Sequence, residues 1–349
     1  MAVPDEATRE GRIESVEQLD DLLSAPTPAV IETMGRLRGD IIVLGVGGKM
    51  GPSLARMARR ASDAAGVARK VIGVSRVASS DLETLLRSWG VETVRCDLLD
   101  SDRLEGLPDA ANVIYMVGMK FGATGAEPMT WAVNTFVPGL AARRYRGSRL
   151  VALSTGNVYG MTPVAGGGSS EGDPLKPVGD YAMSCLGRER IIDHFSRSLN
   201  TPVALIRLNY ATEMRYGVLV DLAQRVAAGE TIDLSVGHFN AIWQGDANAM
   251  ALQAFDHAAS PPFVVNISGE LLSVRDICIQ LGRLMDKQVT FASTESDHAL
   301  LSDGTLGHRL FGPPRVTAEQ MIGWTADWIT RGQPTLGKPT RFEVRDGKF

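Results

Sequence analysis

The sequence predicts an α/β protein: a Rossmann-type, doubly wound parallel sheet with a smaller C-terminal substrate domain. Short apolar runs recur along the chain, separated by helical segments of about 15–30 residues. Parallel strands need such crossover helices, and both faces of their sheet are buried. A glycine-rich turn also follows the first apolar run directly and leads into a helical stretch, as at the start of many β-α-β units.

Residues 1–38 form a polar segment before the first apolar run, and we predict that they form a helical arm. Ser15-Val-Glu-Gln has the pattern of a capping box, and Pro28 can open a second short helix. We interpret this arm as either a packing arm or a dimer contact.

Five apolar runs mark the strands of the predicted sheet. In chain order they are Ile41-Ile-Val-Leu-Gly, Val71-Ile-Gly-Val-Ser, Val91-Glu-Thr-Val-Arg-Cys, Asn112-Val-Ile-Tyr-Met-Val and Arg149-Leu-Val-Ala-Leu-Ser. After Asn209 the alternation becomes irregular, as expected of a smaller portion that covers a substrate.

The predicted dinucleotide-binding domain covers residues 39–210, with a return segment at about 240–268. The smaller substrate-binding portion covers 211–239 and 269–349. Residues 161–178 are rich in Gly, Pro and Ser and have little means of forming regular structure. We therefore expect a mobile loop over a pocket there.

Composition and charge argue against several classes of protein. Hydrophobic residues make up 44% and charged residues 22% of the 349 residues, which are ordinary globular values. The net charge of -4 gives no electrostatic reason to expect a nucleic acid or a membrane as partner. No apolar run is long enough to span a bilayer, and the start of the chain lacks a secretory signal pattern. Three widely spaced cysteines and five single histidines predict a cytoplasmic protein with reduced thiols and without a metal site.

The first apolar run leads into Gly45-Val-Gly-Gly48-Lys-Met-Gly51 and then into a helical stretch. Glycines at 45, 48 and 51 allow a tight turn and let the backbone approach a pyrophosphate at a helix N-terminus. Because this motif stands at the head of the first β-α-β unit, we predict that it binds a dinucleotide cofactor.

The end of the second strand indicates which cofactor to expect. An acidic residue there would bind the adenosine ribose and favour NAD, but this chain has Ser75 and Arg76. A hydroxyl and a guanidinium suit a 2′-phosphate, so we predict NADP, with NAD as the alternative. Asp97, after the third strand, is placed either to accept from the adenine amino group or to cap a helix.

The fifth strand ends in Ser154-Thr-Gly-Asn-Val-Tyr-Gly160, and Tyr181 follows 26 positions after Thr155. The chain here resembles the extended short-chain dehydrogenase/reductases, also called the NAD-dependent epimerase/dehydratase family. The resemblance extends over roughly residues 40–330. It also includes the glycine motif, Asp97, Asn134, Arg207-Leu-Asn-Tyr, Asp246 and Val265-Asn-Ile-Ser-Gly.

The resemblance implies a Rossmann domain, redox chemistry at a carbinol or carbonyl carbon, and a homodimer. By position, Thr155 would hydrogen-bond the reacting oxygen and Tyr181 would be the acid/base. The residues that we predict to bind the cofactor are Gly45, Gly48, Lys49, Met50, Gly51, Ser75, Arg76, Asp97, Leu98, Val117, Gly118, Asn134, Tyr181 and Asn209.

Two departures from the family pattern narrow the expected substrate. Sugar-nucleotide 4,6-dehydratases have an Asp-Glu pair after the threonine, whereas this chain has Gly156 and Asn157, so dehydration is not expected. Phe239 stands where an arginine usually binds the nucleotide diphosphate. A small sugar, sugar acid or other polyol is therefore expected rather than a sugar nucleotide. Phe239 and Trp243 either contact a substrate ring or belong to the core.

The third departure concerns the catalytic tyrosine. The family pattern is Tyr-x-x-x-Lys, but the fourth residue after Tyr181 is Cys185. A phenol near its reference pKa of about 10 is a poor base at neutral pH unless a cation stabilises the phenolate. Two cations could replace the missing lysine: Lys120, just after the fourth strand, which we favour, and Arg188, seven residues after Tyr181 and on the same helix face. For Arg188 we expect a salt bridge on the helix surface, and for Cys185 a small buried filler.

Three functions are consistent with this sequence. The first is an NAD(P)-dependent oxidoreductase or epimerase with Thr155, Tyr181 and Lys120 as catalytic residues. The second is a non-catalytic NADP(H)-binding sensor, against which the retained Thr155 and Tyr181 argue. The third is a redox-neutral lyase or isomerase built on the same fold.

Overall fold

The computed structural model describes residues 11–76, 80–120 and 122–348. The strands of this part of the chain are β1 (Ile41–Leu44), β2 (Val71–Ser75), β3 (Glu92–Arg95), β4 (Asn112–Tyr115), β5 (Arg149–Thr155), β6 (Thr162–Pro163), β7 (Val203–Leu208), β8 (Ala211–Thr212), β9 (Ile232–Asp233), β10 (His238–Trp243), β11 (Phe263–Ile267), β12 (Glu270–Ser273), β13 (Phe291–Ala292) and β14 (His298–Ala299). No helix in these ranges is long and apolar enough to cross a membrane.

The α-helices of the same ranges differ widely in length. They are α1 (Val16–Leu23), α2 (Pro28–Arg36), α3 (Gly51–Ala64), α4 (Ser80–Ser88), α5 (Ser101–Glu105), α6 (Glu127–Trp131), α7 (Val137–Arg144), α8 (Gly179–Leu199), α9 (Val218–Ala228), α10 (Gln244–Gln253), α11 (Val274–Met285), α12 (Thr305–Phe311) and α13 (Ala318–Thr330). A π-helical turn, Ala132–Phe136, connects α6 to α7.

The main sheet has the spatial order β11-β7-β5-β4-β1-β2-β3, and its strand pairs are all parallel. This order confirms the predicted Rossmann-type, doubly wound fold. The five predicted runs are all strands of this sheet, and β7 and β11 extend it on the β5 side. All four residues of β1 are buried, as expected of a central parallel strand.

Helices cover both faces of this sheet. Residues from α2, α3, α4 and α10 form the core on one face. On the other face the core is formed by α5, α7 and α8. A third core lies in the smaller portion, where α9, α11 and α13 pack together with α1. The smaller portion of the molecule therefore has a hydrophobic core of its own.

The described part of the N-terminal arm is helical and packs against the rest of the chain. The Ser15 hydroxyl accepts the Gln18 N–H at 3.2 Å, and Thr27 caps α2, which begins at Pro28. Helix α1 is buried in the core of the smaller portion, whereas α2 packs on the main sheet. The described part of the arm thus packs against both cores, as expected of a packing arm. Residues 1–10 of the predicted arm lie outside the described residues.

The Gly/Pro/Ser-rich segment 161–178 differs from its prediction because it contains the short strand β6. This strand pairs with β14 of the smaller portion, and the Ser169 N–H donates to the Leu301 carbonyl at 3.0 Å. These backbone contacts join the segment to a region more than 120 residues further along the chain, which local composition does not reveal.

Candidate active site

Two neighbouring cavities open at the carboxyl edge of the main sheet, where open α/β sheets bind their ligands. The outer cavity has a volume of about 690 Å³ and lies along the ends of β1 to β4. The inner cavity has about 190 Å³ and lies between the ends of β5 and β7 and the smaller portion. The glycine turn after β1 contributes residues to both of them.

The glycine turn has the geometry that a phosphate-binding loop needs. Gly45 has φ +94°, a left-handed conformation, and a side chain there would also meet Val117 at 3.0 Å. Gly51 begins α3 so close to the Val46 backbone that any side chain would overlap it. Gly45, Gly47 and Gly48 line the outer cavity, so the backbone of this turn, just before the α3 N-terminus, can be approached closely by a pyrophosphate.

The outer cavity is basic at the end of β2. Ser75 and Arg76 line it as predicted, together with Arg95 and Arg103, which the sequence analysis did not select. Asp97 also lines this cavity, and its side chain accepts the Leu99 N–H at 3.1 Å. The helix-cap alternative for Asp97 is wrong, because Asp100 caps α5 instead.

Three more of the predicted cofactor residues line the outer cavity, namely Leu98, Val117 and Gly118. Asn134 is different: it is fully buried in the π-helical turn, and neither cavity includes it. Its amide donates to the Met119 carbonyl and to Ser184, while its oxygen accepts from the Met119 N–H at 2.8 Å. Asn134 therefore fixes the segment after β4 against α8, and its predicted contact with the cofactor has no support in this geometry.

Tyr181 and Thr155 meet in the inner cavity. The Tyr181 hydroxyl is hydrogen-bonded to Thr155 and to Cys185, and Thr155 donates to the Asn157 oxygen at 3.0 Å. Burial raises the pKa of the Tyr181 phenol, and the neighbouring Cys185 acts in the same direction. Arg188 and the hydrogen bond with Thr155 oppose this shift of the pKa. Tyr181 therefore retains its proton over the neutral range.

Lys120 enters the same cavity from the segment after β4. Its ammonium lies 5.8 Å from the ring centroids of both Tyr181 and Tyr210, and it donates to the Thr340 carbonyl at 3.2 Å. Burial lowers the pKa of Lys120 to about 8. The structure thus brings together Thr155, Tyr181 and Lys120, which the sequence analysis selected as catalytic residues.

Arg188 does not form the expected surface salt bridge. It is only 5% exposed, and its guanidinium donates to the Leu153 carbonyl at 2.8 Å and to the Asn134 side chain at 3.1 Å. Burial raises the pKa of Cys185, while the positive charge of Arg188 opposes that shift. Arg188 is therefore a fixed cation behind Tyr181. The helical spacing of seven residues from Tyr181 was the sequence signal for this position.

Lys49 and Met50 line the inner cavity rather than the outer one. The Lys49 ammonium lies 3.1 Å from the centroid of the Tyr216 ring, and burial, together with Lys120 and Lys338, lowers its pKa to about 7. Asn209 also lines the inner cavity and donates to the Asn240 side chain at 3.2 Å. These three predicted cofactor residues therefore line the same cavity as Tyr181 and Thr155.

A C-terminal strap, residues 333–348, forms one wall of the inner cavity. Asp221 on α9 holds this strap by accepting the Thr340 N–H at 2.7 Å and the Thr340 hydroxyl at 2.6 Å. Phe342 is buried 5.8 Å from Phe239, measured between ring centroids. The sequence analysis placed this end of the chain in the smaller portion, but it did not identify Asp221 or Tyr216.

The sequence analysis left two roles for two aromatic residues of β10, either contact with a substrate ring or packing in the core. Phe239 and Trp243 are 1% and 2% exposed, and Trp243 packs edge-on against Trp324 with ring centroids 5.5 Å apart. Both residues therefore belong to the core of the smaller portion.

Residues 41–234 match the family model described as "NAD dependent epimerase/dehydratase family", which covers more than half of this chain. This chain belongs to that family. The membership confirms the resemblance that was drawn from the motifs. No curated protein sequence matches the chain.

Solved structures with the same fold are numerous but distant in sequence. A UDP-glucuronic acid 4-epimerase from Bacillus cereus in complex with NAD has a TM-score of 0.70 at 18% identity, covering 84% of this chain and 96% of that one. A UDP-glucose 4-epimerase from Thermotoga maritima has a TM-score of 0.69 at 17% identity, with coverages of 84% and 99%. A dTDP-glucose 4,6-dehydratase from Bacillus anthracis has a TM-score of 0.70 at 16% identity, with coverages of 84% and 97%.

Proposed function

We propose that this protein is an NAD(P)-dependent oxidoreductase or epimerase that acts at a carbinol or carbonyl carbon of a small sugar, sugar acid or related polyol. The observation that carries the proposal is the half-buried, hydrogen-bonded pair of Tyr181 and Thr155 in the inner cavity, with the Lys120 ammonium beside it. A pure sensor needs no such group, and family membership points to an enzyme.

The residues of the outer cavity fit a dinucleotide. The Gly45 turn and the N-terminus of α3 would hold a pyrophosphate, and Asp97 would accept from an adenine amino group. When bound, the nicotinamide supplies the hydride acceptor or donor. The outer cavity leads past Val117 and Gly118 toward the inner one, where Met50 and Asn209 lie beside Tyr181.

The chemistry of the chain itself is proton transfer at the reacting oxygen. Thr155 would hydrogen-bond that oxygen, and Tyr181 would donate a proton to it or accept one from it. Because burial raises its pKa, the Tyr181 phenol is protonated at neutral pH and has a proton to donate to the reacting oxygen in carbonyl reduction. In the other direction, the positive charges of Lys120 and Arg188 would stabilise the phenolate, which is the function of the missing lysine.

For the cofactor we propose NADP(H). Arg76 follows β2, Arg95 ends the adjacent strand β3 and Arg103 lies on α5; all three line the outer cavity, where a 2′-phosphate would lie. The Bacillus cereus and Bacillus anthracis structures contain NAD, and the family is described as NAD dependent. NAD is therefore the alternative cofactor, which a binding experiment can distinguish.

We infer the substrate class from the residues of the family pattern that this chain lacks. Phe239 is buried in the core, so β10 presents no arginine there to a nucleotide diphosphate. Gly156 and Asn157 offer no carboxylate for water elimination, and on this ground we continue to predict that dehydration does not occur. The similar structures include UDP-sugar epimerases and a dTDP-glucose dehydratase, so sugar nucleotides remain the alternative substrate class.

The test is conversion of a panel of aldoses, ketoses and sugar acids in the presence of NADP+ or NADPH, followed by nicotinamide absorbance and product chromatography. We expect Tyr181→Phe to lose about 100-fold or more of the activity while cofactor binding is retained. Lys120→Met should shift the pH profile of the activity as well as reduce it. Met183→Ala, an exposed position on the same helix, is the matched control.

Conversion by the wild type and by Met183→Ala, but not by Tyr181→Phe, would support the enzyme. If the wild type binds NADPH yet neither converts nor exchanges hydride with any member of the panel, the sensor hypothesis replaces it.

A further inference from the structure

Two lysines from different parts of the fold converge in the inner cavity. Lys49 comes from the glycine turn, and its ammonium lies 3.1 Å from the centroid of the Tyr216 ring. Lys120 comes from the segment after β4, beside the Tyr181 and Tyr210 rings. Both side chains line the same cavity as Thr155. A substrate oxygen bonded to Thr155 would therefore place the rest of a small substrate against this lysine pair.

The cavity carries an excess of positive charge. The negative charge of Asp221 raises the pKa of both ammonium groups, and that of Glu343 raises the pKa of Lys120. Each of these carboxylates has another partner: Asp221 accepts two hydrogen bonds from Thr340, and Glu343 forms a 2.6 Å ion pair with Arg225. On the other side, the charge of Lys338 on the strap also acts on Lys49 and disfavours its protonation.

Burial lowers the pKa of both groups, to about 7 for Lys49 and about 8 for Lys120, and the nearby charge of Lys120 adds to the shift at Lys49. A packing role at these positions would be filled at lower cost by an apolar side chain. An anion bound between them removes the repulsion and is itself neutralised. Clusters of this kind in a cleft indicate ligand recognition.

We propose that Lys49 and Lys120 bind an anionic group of the substrate, a carboxylate or a phosphate ester, and so make the enzyme selective for acidic over neutral sugars. This proposal rests on the proposed function, since it assigns the substrate class of the same cavity. The Lys49 side chain then serves the substrate, whereas its predicted role was in cofactor binding. Tyr216 orients it through the contact between the cation and the ring.

The proposal has a pH dependence with a definite sign. An anion binds the protonated lysines, so its affinity should be greatest below about pH 7 and should decrease as the pH rises past about 8. Binding at neutral pH should also take up protons from the buffer, because the anion raises the pKa of Lys49. A neutral sugar should show neither effect.

The test is isothermal titration of the whole protein, with and without NADP+, using D-glucuronate, D-glucose 6-phosphate and D-glucose as probes. Titrations at pH 6.5, 7.5 and 8.5 in two buffers of different ionisation enthalpy report the proton uptake (these pH values bracket the pKa of about 7 for Lys49). The variants are Lys49→Met, Lys49→Arg and the control Lys70→Met. Lys70 is an exposed residue at the opposite end of β2, paired with Glu92.

We expect at least one acidic probe to bind about tenfold or more tightly than glucose, with proton uptake at neutral pH. Lys49→Met should remove this difference in affinity between the acidic probe and glucose, whereas Lys70→Met should retain it. Lys49→Arg should retain the difference in affinity to higher pH. Preference for glucuronate identifies a sugar acid, and preference for the phosphate identifies a phosphorylated sugar.

Equal binding of the three probes, or no binding of any, would overturn the proposal. So would a Lys49→Met variant that loses affinity for NADPH but not for the acidic probe. This assay needs no turnover. If an acidic probe binds but no substrate is converted, the proposed enzymatic function is wrong and the proposed anion site stands.

Discussion

At the scale of single residues, position 185 shows how this chain departs from its family. The Cys185 thiol is fully buried against Tyr181, and the Arg188 guanidinium lies behind the tyrosine. Arg188 is held there by three hydrogen bonds to Asn134 and to the Leu153 carbonyl. A cation at position 185 would therefore be buried next to one that is already fixed in place.

We predict that Cys185→Lys does not restore a more active enzyme but destabilises the protein. Burying a second cation, the unpaired lysine ammonium, beside the Arg188 guanidinium should lower the free energy of unfolding by about 3–5 kcal/mol. Urea denaturation followed by circular dichroism measures this change. Cys185→Ala is the control, for which we expect a smaller loss. A Cys185→Lys variant as stable as the wild type would contradict this account of Arg188.

The positions of the residues that we propose as catalytic were predictable because their signals are local. Thr155 ends a strand, Tyr181 lies near the start of a helix, and Lys120 follows the fourth strand, so the fold places all three at one sheet edge. For Asn134 and Lys49, which were predicted to bind the cofactor, the structure alone shows what the side chains contact. Asn134 was selected through the family resemblance, and a motif match does not show which way a side chain points; the protein uses the hydrogen bonds of Asn134 internally.

At the scale of elements, the C-terminal strap is the part of the site that sequence reasoning could least define. Its main attachment joins Thr340 to Asp221, which is 119 positions away. No periodicity or capping pattern indicates such a contact, and the strap has no regular secondary structure to predict. Strands β7 and β11 were also left out of the five predicted runs. The first contains the charged Arg207, whose ion pair with Glu189 becomes buried only in the folded protein.

We predict that Asp221→Ala loosens the strap. The variant loses two hydrogen bonds to a charged acceptor, which should reduce the free energy of unfolding by about 1.5–3 kcal/mol. Cleavage by trypsin at Arg341 and Arg345, identified by mass spectrometry, should become faster than in the wild type. Asp193→Ala, which removes an exposed ion pair with Arg197, is the control. Equal cleavage rates in the two variants would show that Asp221 does not hold the strap.

At the scale of the whole molecule, an apolar groove of about 460 Å³ lies between the α6–α7 segment and α8. Trp131, Leu140, Ile191 and Phe195 line it, and Phe136 beside them is 58% exposed. Contiguous exposed apolar surface of this kind commonly marks an interaction site. The homodimer that the resemblance implies would bury this surface.

We predict that the protein is a dimer in solution and that Phe136→Glu converts it to a monomer, because the substitution places a charge in the apolar interface. Light scattering coupled to size-exclusion chromatography measures the mass. Leu284→Glu, at an exposed position on α11 outside the groove, should leave the dimer intact. A wild-type protein that is monomeric at high concentration would contradict the prediction.

For the whole molecule, we propose that the cavity at the glycine turn binds a nicotinamide dinucleotide and that Arg76 recognises its 2′-phosphate. A fluorescence titration of wild type and Arg76→Ala with NADPH and with NADH tests both parts of this proposal. We expect NADPH to bind the wild type about tenfold or more tightly than NADH, and the variant to lose that preference, a difference of about 1.4 kcal/mol. Binding of neither cofactor, or tighter binding of NADH that the substitution leaves unchanged, would contradict it.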